Sequence, residues 1–231
     1  MNPKGKACAI VSGQNIENAI CQVQKAHALG AGLVELRMDL IECNGNTSAG
    51  LIKKAHSLGL ACIATWRDKE EGGKFEGKDK TELVRSAINA GADYVDLELR
   101  NRKIIEAIKN DAAKTGCKII ASWHDFGKQP ALAAMTQKIK EAKKAGAGIA
   151  KIAFVSNKGG YEKAIDGLAF TAEQNGIALV ASPMGKDALN GRAYALSKGS
   201  VFAYCTLDGK ESIAPGVPTI GQLKAVIEQN G

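Results

Sequence analysis

Lys151 stands in the middle of GAGIAKIAFVS, residues 146 to 156, an apolar run with no polar face. A solvated ammonium does not belong in such a run, so the residue asks for a chemical reason. At an unperturbed pKa near 10.4, well under about 0.1% of a lysine is free amine at pH 7. Burial and neighbouring cations such as Arg37 or Arg67 would lower that pKa. A neutral amine adds to ketones and aldehydes to form an imine, and the iminium makes the adjacent C–H acidic. A base is then required. His124, in ASWHDF at 121–126, titrates in the right range and falls on the neighbouring strand-like run.

Other polar residues fall where strands should be apolar. In LVELRMDL, residues 33–40, alternation puts Glu35, Arg37 and Asp39 on one face and Val34, Leu36, Met38 and Leu40 on the other. Thr65 and Arg67 end a third run, and Asp96 and Glu98 share a face in YVDLEL. Ser122 and His124 share one in the fifth run, Ser182 and Met184 end the seventh, and Arg192 follows it. A salt-bridge layer without chemistry is the plain alternative for Glu35, Arg37, Asp96 and Glu98. It accounts less well for a lysine and a histidine together.

These residues need a frame. An alanine followed four residues later by glycine recurs along the chain at Ala26/Gly30, Ala55/Gly59, Ala87/Gly91, Ala112/Gly116, Ala142/Gly146, Ala172/Gly176 and Ala195/Gly199. Each pair closes a helix-like segment, with the glycine suited to a left-handed C-cap. A short apolar run follows each, beginning near 33, 60, 94, 118, 149, 177 and 201, and ACAIVSG at 7–13 precedes them all. Eight strands alternating with helices, the last helix at 222–229, imply parallel strands and right-handed crossovers. The expectation is a single (β/α)8 TIM barrel over residues 1–231, whose active site lies at the C-terminal strand ends. An open doubly wound sheet fits less well, because no GxGxxG follows the first strand and the repeat is even throughout.

Composition narrows the partners. Net charge is +7, but the basic residues are scattered and only two Trp are present, which argues against nucleic acid and suits a small anionic substrate. No apolar run approaches the ~18 residues of a membrane span, and ACAIV is too short for a signal-peptide core. The expected location is therefore cytoplasmic. The six cysteines form no CxxC or zinc spacing and are expected to be reduced core thiols. His27 and His56 fall in helical segments and are expected to be ordinary helix residues.

In order along the chain, VELRMDL, ATWRDKEEGGKF, YVDLEL, ASWHDF, AKIAF, SPMGKDALNGR and a terminal APG resemble the type I 3-dehydroquinate dehydratases of the shikimate pathway. The resemblance implies syn elimination of water from 3-dehydroquinate to give 3-dehydroshikimate, with no metal or organic cofactor, in a homodimer. It implies that Lys151 forms the imine and that His124 removes the α-proton and then protonates the departing hydroxyl. Glu71 would orient and charge that histidine, raising its pKa. Glu35, Arg37 and Arg67 would hold ring hydroxyls, and Arg192, in M-x7-R, the carboxylate. Asp125 is expected to be structural, because alternation turns it away from His124, and Asp96 to support the pair from below.

The chain departs from the family at its final loop. The family's S-A-P-G-Q reads Ile213-Ala214-Pro215-Gly216-Val217 here. A weakened or rearranged lid is expected, with Ser212, Thr219 or Gln222 as substitute donors and a mobile Asp208–Pro218 loop that orders on substrate. Two other readings stay open: another imine-forming barrel of the aldolase or transaldolase type, and a non-catalytic ligand-binding barrel.

Overall fold

The computed structural model describes residues 7–42, 45–77, 79–207 and 214–229, with the side chains of 45 and 46 left aside. Eight strands alternate with eight helices. The strands are β1 (Ala7–Val11), β2 (Leu33–Arg37), β3 (Ala61–Thr65), β4 (Tyr94–Glu98), β5 (Lys118–Asp125), β6 (Ile149–Val155), β7 (Ala178–Met184) and β8 (Ala203–Cys205). The helices are α1 (Ile16–Ala28), α2 (Gly45–Ser57), α3 (Lys80–Asn89), α4 (Arg102–Thr115), α5 (Leu132–Ala145), α6 (Tyr161–Gln174), α7 (Ala188–Ser197) and α8 (Ile220–Gln229). Parallel ladders run in the order β7-β6-β5-β4-β3-β2-β1-β8, the wall of a (β/α)8 barrel.

The seven-fold repeat is the device that ends the first seven helices. All seven glycines have positive φ, between 57° and 94°. In six of the seven turns the residue after the glycine donates its N–H to the carbonyl of the paired alanine, as in Ala31 to Ala26 (2.9 Å) and Ser200 to Ala195 (2.9 Å). This is the Schellman arrangement, in which glycine takes the left-handed position and the chain reverses toward the sheet. The alanines are at most 3% exposed, so a larger side chain there would push the helix end off the strands.

Two apolar layers result. The larger fills the space between sheet and helices. The smaller lies inside the barrel and includes Cys8, Ile10, Leu33, Ile63, Ile120, Ile149, Val180, Phe202 and Tyr204. It forms a floor toward the N-terminal strand ends, and the polar residues sit above it. Five described cysteines are free thiols and four of them are buried; Cys43 lies outside the described residues.

Between β7 and β8 the described backbone supplies one hydrogen bond, Val201 N–H to Leu179 O at 2.9 Å. The guanidinium of Arg192 spans the same seam. Its Nε donates to Pro183 O (3.1 Å) on β7 and its Nη1 to Tyr204 O (2.6 Å) on β8.

Candidate active site

The seven residues expected at the site, Glu35, Arg37, Arg67, Glu71, His124, Lys151 and Arg192, all line one cavity at the C-terminal mouth. The sheet register explains most of the convergence. Ser122 pairs with Lys151 and His124 with Ala153, so the imidazole stands two residues above the amine on the adjacent strand. Strand alternation sends both side chains inward.

Glu71 comes from the loop after β3. A bridge between Asp68 and Phe75 pinches this loop, and Lys69–Glu71 form one 3-10 turn within it. Gly72 is left-handed (φ 81°), and an added Cβ would meet the Phe126 ring at 3.1 Å. At Gly73 a Cβ would fall 1.9 Å from the Arg67 carbonyl oxygen, so no other residue fits. Phe126 in turn stacks on His124, with ring centroids 6.0 Å apart and planes 9° from parallel. The result is a contact of 2.7 Å between His124 Nδ1 and Glu71 Oε2.

The electrostatics of this pair differ from the expectation. Burial first, then the cations of Arg67 and Lys151, push the His124 pKa well below its ordinary value. Glu71 does not offset this, and burial pushes its own carboxyl up to about 7 despite the opposing pull of Arg67. The imidazole is therefore neutral at pH 7. Asp125, as expected, points elsewhere and accepts the Gly127 N–H at 2.9 Å.

Lys151 is 5% exposed. Its nearest charged neighbours are carboxylates rather than the arginines expected from the sequence. Nζ donates to Asp96 Oδ2 at 2.9 Å and lies 3.6 Å from Glu35 Oε1. The amine also sits 3.9 Å from the centroid of the Tyr204 ring. Arg67 does reach it, through the same Asp96 oxygen, at 2.9 Å from Nη2.

Asp96 is thus the hub beneath the pair, more central than the supporting place expected of it. Its other oxygen accepts the Ser122 hydroxyl at 2.6 Å. Burial alone would raise its pKa, but Arg67, Lys151 and the Ser122 hydrogen bond outweigh that and hold it well below the carboxylate range. Arg67 donates also to Ser122 Oγ (2.6 Å) and Glu98 Oε1 (3.3 Å), and Glu98 is held from outside by Lys80 at 2.6 Å. Thr65 Oγ1 donates to Glu35 at 3.1 Å. Arg37 is clamped by Asp39 through two bonds, Nε to Oδ1 (2.8 Å) and Nη2 to Oδ2 (2.7 Å). The salt-bridge layer foreseen as the plain alternative is therefore present, and it fixes the Lys151 amine in place.

Arg192 is 2% exposed, and burial lowers its guanidinium pKa to about 10. It forms no ion pair among the described residues, and its charge faces a cavity in which an anion would complete it. Two hydroxyls in the same cavity, Ser182 Oγ and Tyr204 Oη, are buried without a hydrogen-bond partner among the described residues. Tyr204 was missed in the sequence, where it reads as one more aromatic in an apolar run.

The mouth is bounded by Ala214 and Val217, and the loop is pinned where Gly185 N–H meets Pro215 O at 2.8 Å. Ser212 and Ile213 lie outside the described residues, as do Asp208 to Glu211. Thr219 and Gln222 do not replace lost lid donors. They form a reciprocal capping box at the start of α8, Gln222 N–H to Thr219 Oγ1 (3.2 Å) and Thr219 N–H to Gln222 Oε1 (2.9 Å).

Fold and site together define a (β/α)8-barrel enzyme with a buried lysine and a carboxylate-held histidine at its C-terminal mouth. The chain belongs to the type I 3-dehydroquinase family, whose model matches residues 7–231. It is 33% identical over 235 residues to a 3-dehydroquinate dehydratase of Methanosarcina barkeri, covering 99% of this chain and 96% of that protein. It is 33% identical over 198 residues to that of Aquifex aeolicus, covering 84% of this chain and 85% of that one. The crystal structure of the Aquifex aeolicus 3-dehydroquinate dehydratase superposes with a TM-score of 0.83 at 27% identity, over 97% of this chain and 98% of that one.

Proposed function

We propose that the protein dehydrates 3-dehydroquinate to 3-dehydroshikimate through an imine on Lys151. Family membership carries the reaction, and the geometry supports the residue roles. The Lys151 amine adds to the substrate ketone and expels water. His124, neutral in its buried position, removes the proton α to the iminium to give an enamine. The resulting imidazolium then protonates the β-hydroxyl as it leaves. Hydrolysis of the imine releases product and restores the amine.

The supporting residues follow from their contacts. Ionised Glu71 accepts from Nδ1–H and leaves Nε2 free as the base. Arg192 supplies charge to the substrate carboxylate, and Glu35, Arg37 and Arg67 face the ring hydroxyls. The observation that carries these roles is the convergence of all seven residues on one cavity.

The same reading keeps the assembly expected from the resemblance: a cytoplasmic homodimer acting on a small molecule, without nucleic acid, membrane or cofactor. Its support is the scattered positive charge and the likeness to the family. No helix among the described residues is long and apolar enough to cross a membrane.

Borohydride reduction in the presence of 3-dehydroquinate, followed by peptide mass mapping, tests the mechanism. A covalent adduct at Lys151 is expected, and none with a phosphosugar control. An unmodified Lys151 during active turnover overturns the imine role, and an adduct with the phosphosugar alone favours the aldolase class.

A further inference from the structure

At the opposite, N-terminal end of the barrel, three side chains of different chemistry meet. His56 comes from the last turn of α2, Cys62 from the start of β3, and Asp93 from the residue before β4. His56 Nε2 is 2.8 Å from Asp93 Oδ2 and 3.7 Å from Cys62 Sγ. All three ligand atoms lie within 4.8 Å of one another. His56 stands on a helix and Cys62 is a buried free thiol, as expected; their meeting with Asp93 is not legible in the sequence.

We infer that His56, Cys62 and Asp93 form a binding site for a divalent metal ion of the zinc type. The donor set is the first argument. One imidazole nitrogen, one sulfur and one carboxylate oxygen suit a borderline-soft ion and not calcium or magnesium. Spacing is the second. Tetrahedral zinc with ordinary bond lengths needs about 3.5 Å between S and N and about 3.3 Å between N and O. The sulfur-nitrogen separation is already close to that. The nitrogen-oxygen separation must open by roughly 0.5 Å, and His56, 39% exposed at a helix end, can supply it.

Support and access make the third argument. Asp93 Oδ2 accepts the backbone N–H of Cys62 at 2.9 Å, so one ligand is oriented by the backbone of another. The thiol is fully buried, whereas His56 and Asp93 are each about two-fifths exposed, so the ion would enter from solvent and keep water as a fourth ligand. The proton balance closes. The thiol releases its proton on forming the metal–sulfur bond, and His56 binds through Nε2 as the tautomer protonated on Nδ1. Burial pushes the Cys62 thiol up to about 12, so the ion must displace a firmly held proton.

Metal uptake by the whole chain after chelator treatment tests this. Zinc titrated against a chromophoric chelator should bind at one equivalent per chain, and cobalt should give a thiolate-to-metal charge-transfer absorption. His56→Ala and Asp93→Asn should each weaken binding at least ten-fold, Cys62→Ser should abolish the cobalt band, and Cys21→Ser and Cys43→Ser should change neither. Where Cys62→Ser fails to fold, the two surface variants decide. Absence of stoichiometric uptake, uptake undiminished by His56→Ala, or a band lost with Cys21→Ser or Cys43→Ser overturns the site. Turnover of 3-dehydroquinate plays no part in these readings.

Discussion

His124 and Glu71 meet at 2.7 Å although 53 residues separate them, and the loop that carries the carboxylate reaches the imidazole only by turning through Gly72 and Gly73. The two groups have been moved toward neutrality from opposite sides. The histidine is lowered by burial and two cations, and the carboxyl is raised by burial to about 7. A protonated Glu71 would donate to Nδ1 and leave the proton on Nε2, the wrong tautomer for a base. An ionised Glu71 accepts from Nδ1–H and frees Nε2.

The sign of the pH dependence follows. Below about pH 7 Glu71 gains a proton and the working tautomer is lost, so kcat/KM should rise between about pH 5.5 and 8 with a midpoint near 7. Glu71→Gln should lower kcat by about 10- to 100-fold and remove that limb, as read from pH–rate profiles of both proteins. A limb unchanged in the variant would assign the titration to another group.

Lys151→Ala should reduce kcat by on the order of 10⁴-fold or more while the barrel still folds. Asp96 keeps Arg67 and Ser122 after the amine is gone, so no carboxylate is stranded. Circular dichroism and steady-state assays make the comparison. In His124→Ala the imine should form and stall, and intact-mass spectra after borohydride should show the adduct accumulating.

Asp96→Asn should be costly to the fold itself. It leaves Arg67 and Lys151 buried with one carboxylate fewer, and breaking such a pair destabilises by about 3–5 kcal/mol. Chemical denaturation would read this as a lower midpoint. Asp96→Asn at parental stability would show that Glu35 and Glu98 suffice.

Val217→Gln should lower KM for 3-dehydroquinate, because Val217 borders the cavity and an amide there can reach a substrate carboxylate. Steady-state kinetics decide it. Unchanged KM and kcat would mean that the apolar mouth is immaterial to catalysis.

Much of this architecture could be read from the chain. The Ala-to-Gly spacing is a local rule, since a helix that must end and return to a sheet needs one small buried residue and one left-handed residue at fixed separation. Inward-facing charges were legible for a similar reason, because a strand's period of two leaves no other face for Glu35, Arg37 or Asp96. What stayed hidden was relational. That Asp96 binds both cations, that burial outweighs Glu71 at His124, and that Thr219 and Gln222 cap a helix all depend on which side chains meet across the barrel. His56, Cys62 and Asp93 likewise share no motif, because their convergence is made by strand order.

Arg192 crosses the joint between β7 and β8 with the same planar fork that faces the substrate cavity. The joint carries little backbone bonding of its own and lies beneath the loop that bounds the entrance. An anion in the cavity would pair with the guanidinium that bridges these two strands. Under the proposed role of Arg192, a carboxylate ligand should therefore raise the melting temperature by bracing this sparsely bonded joint.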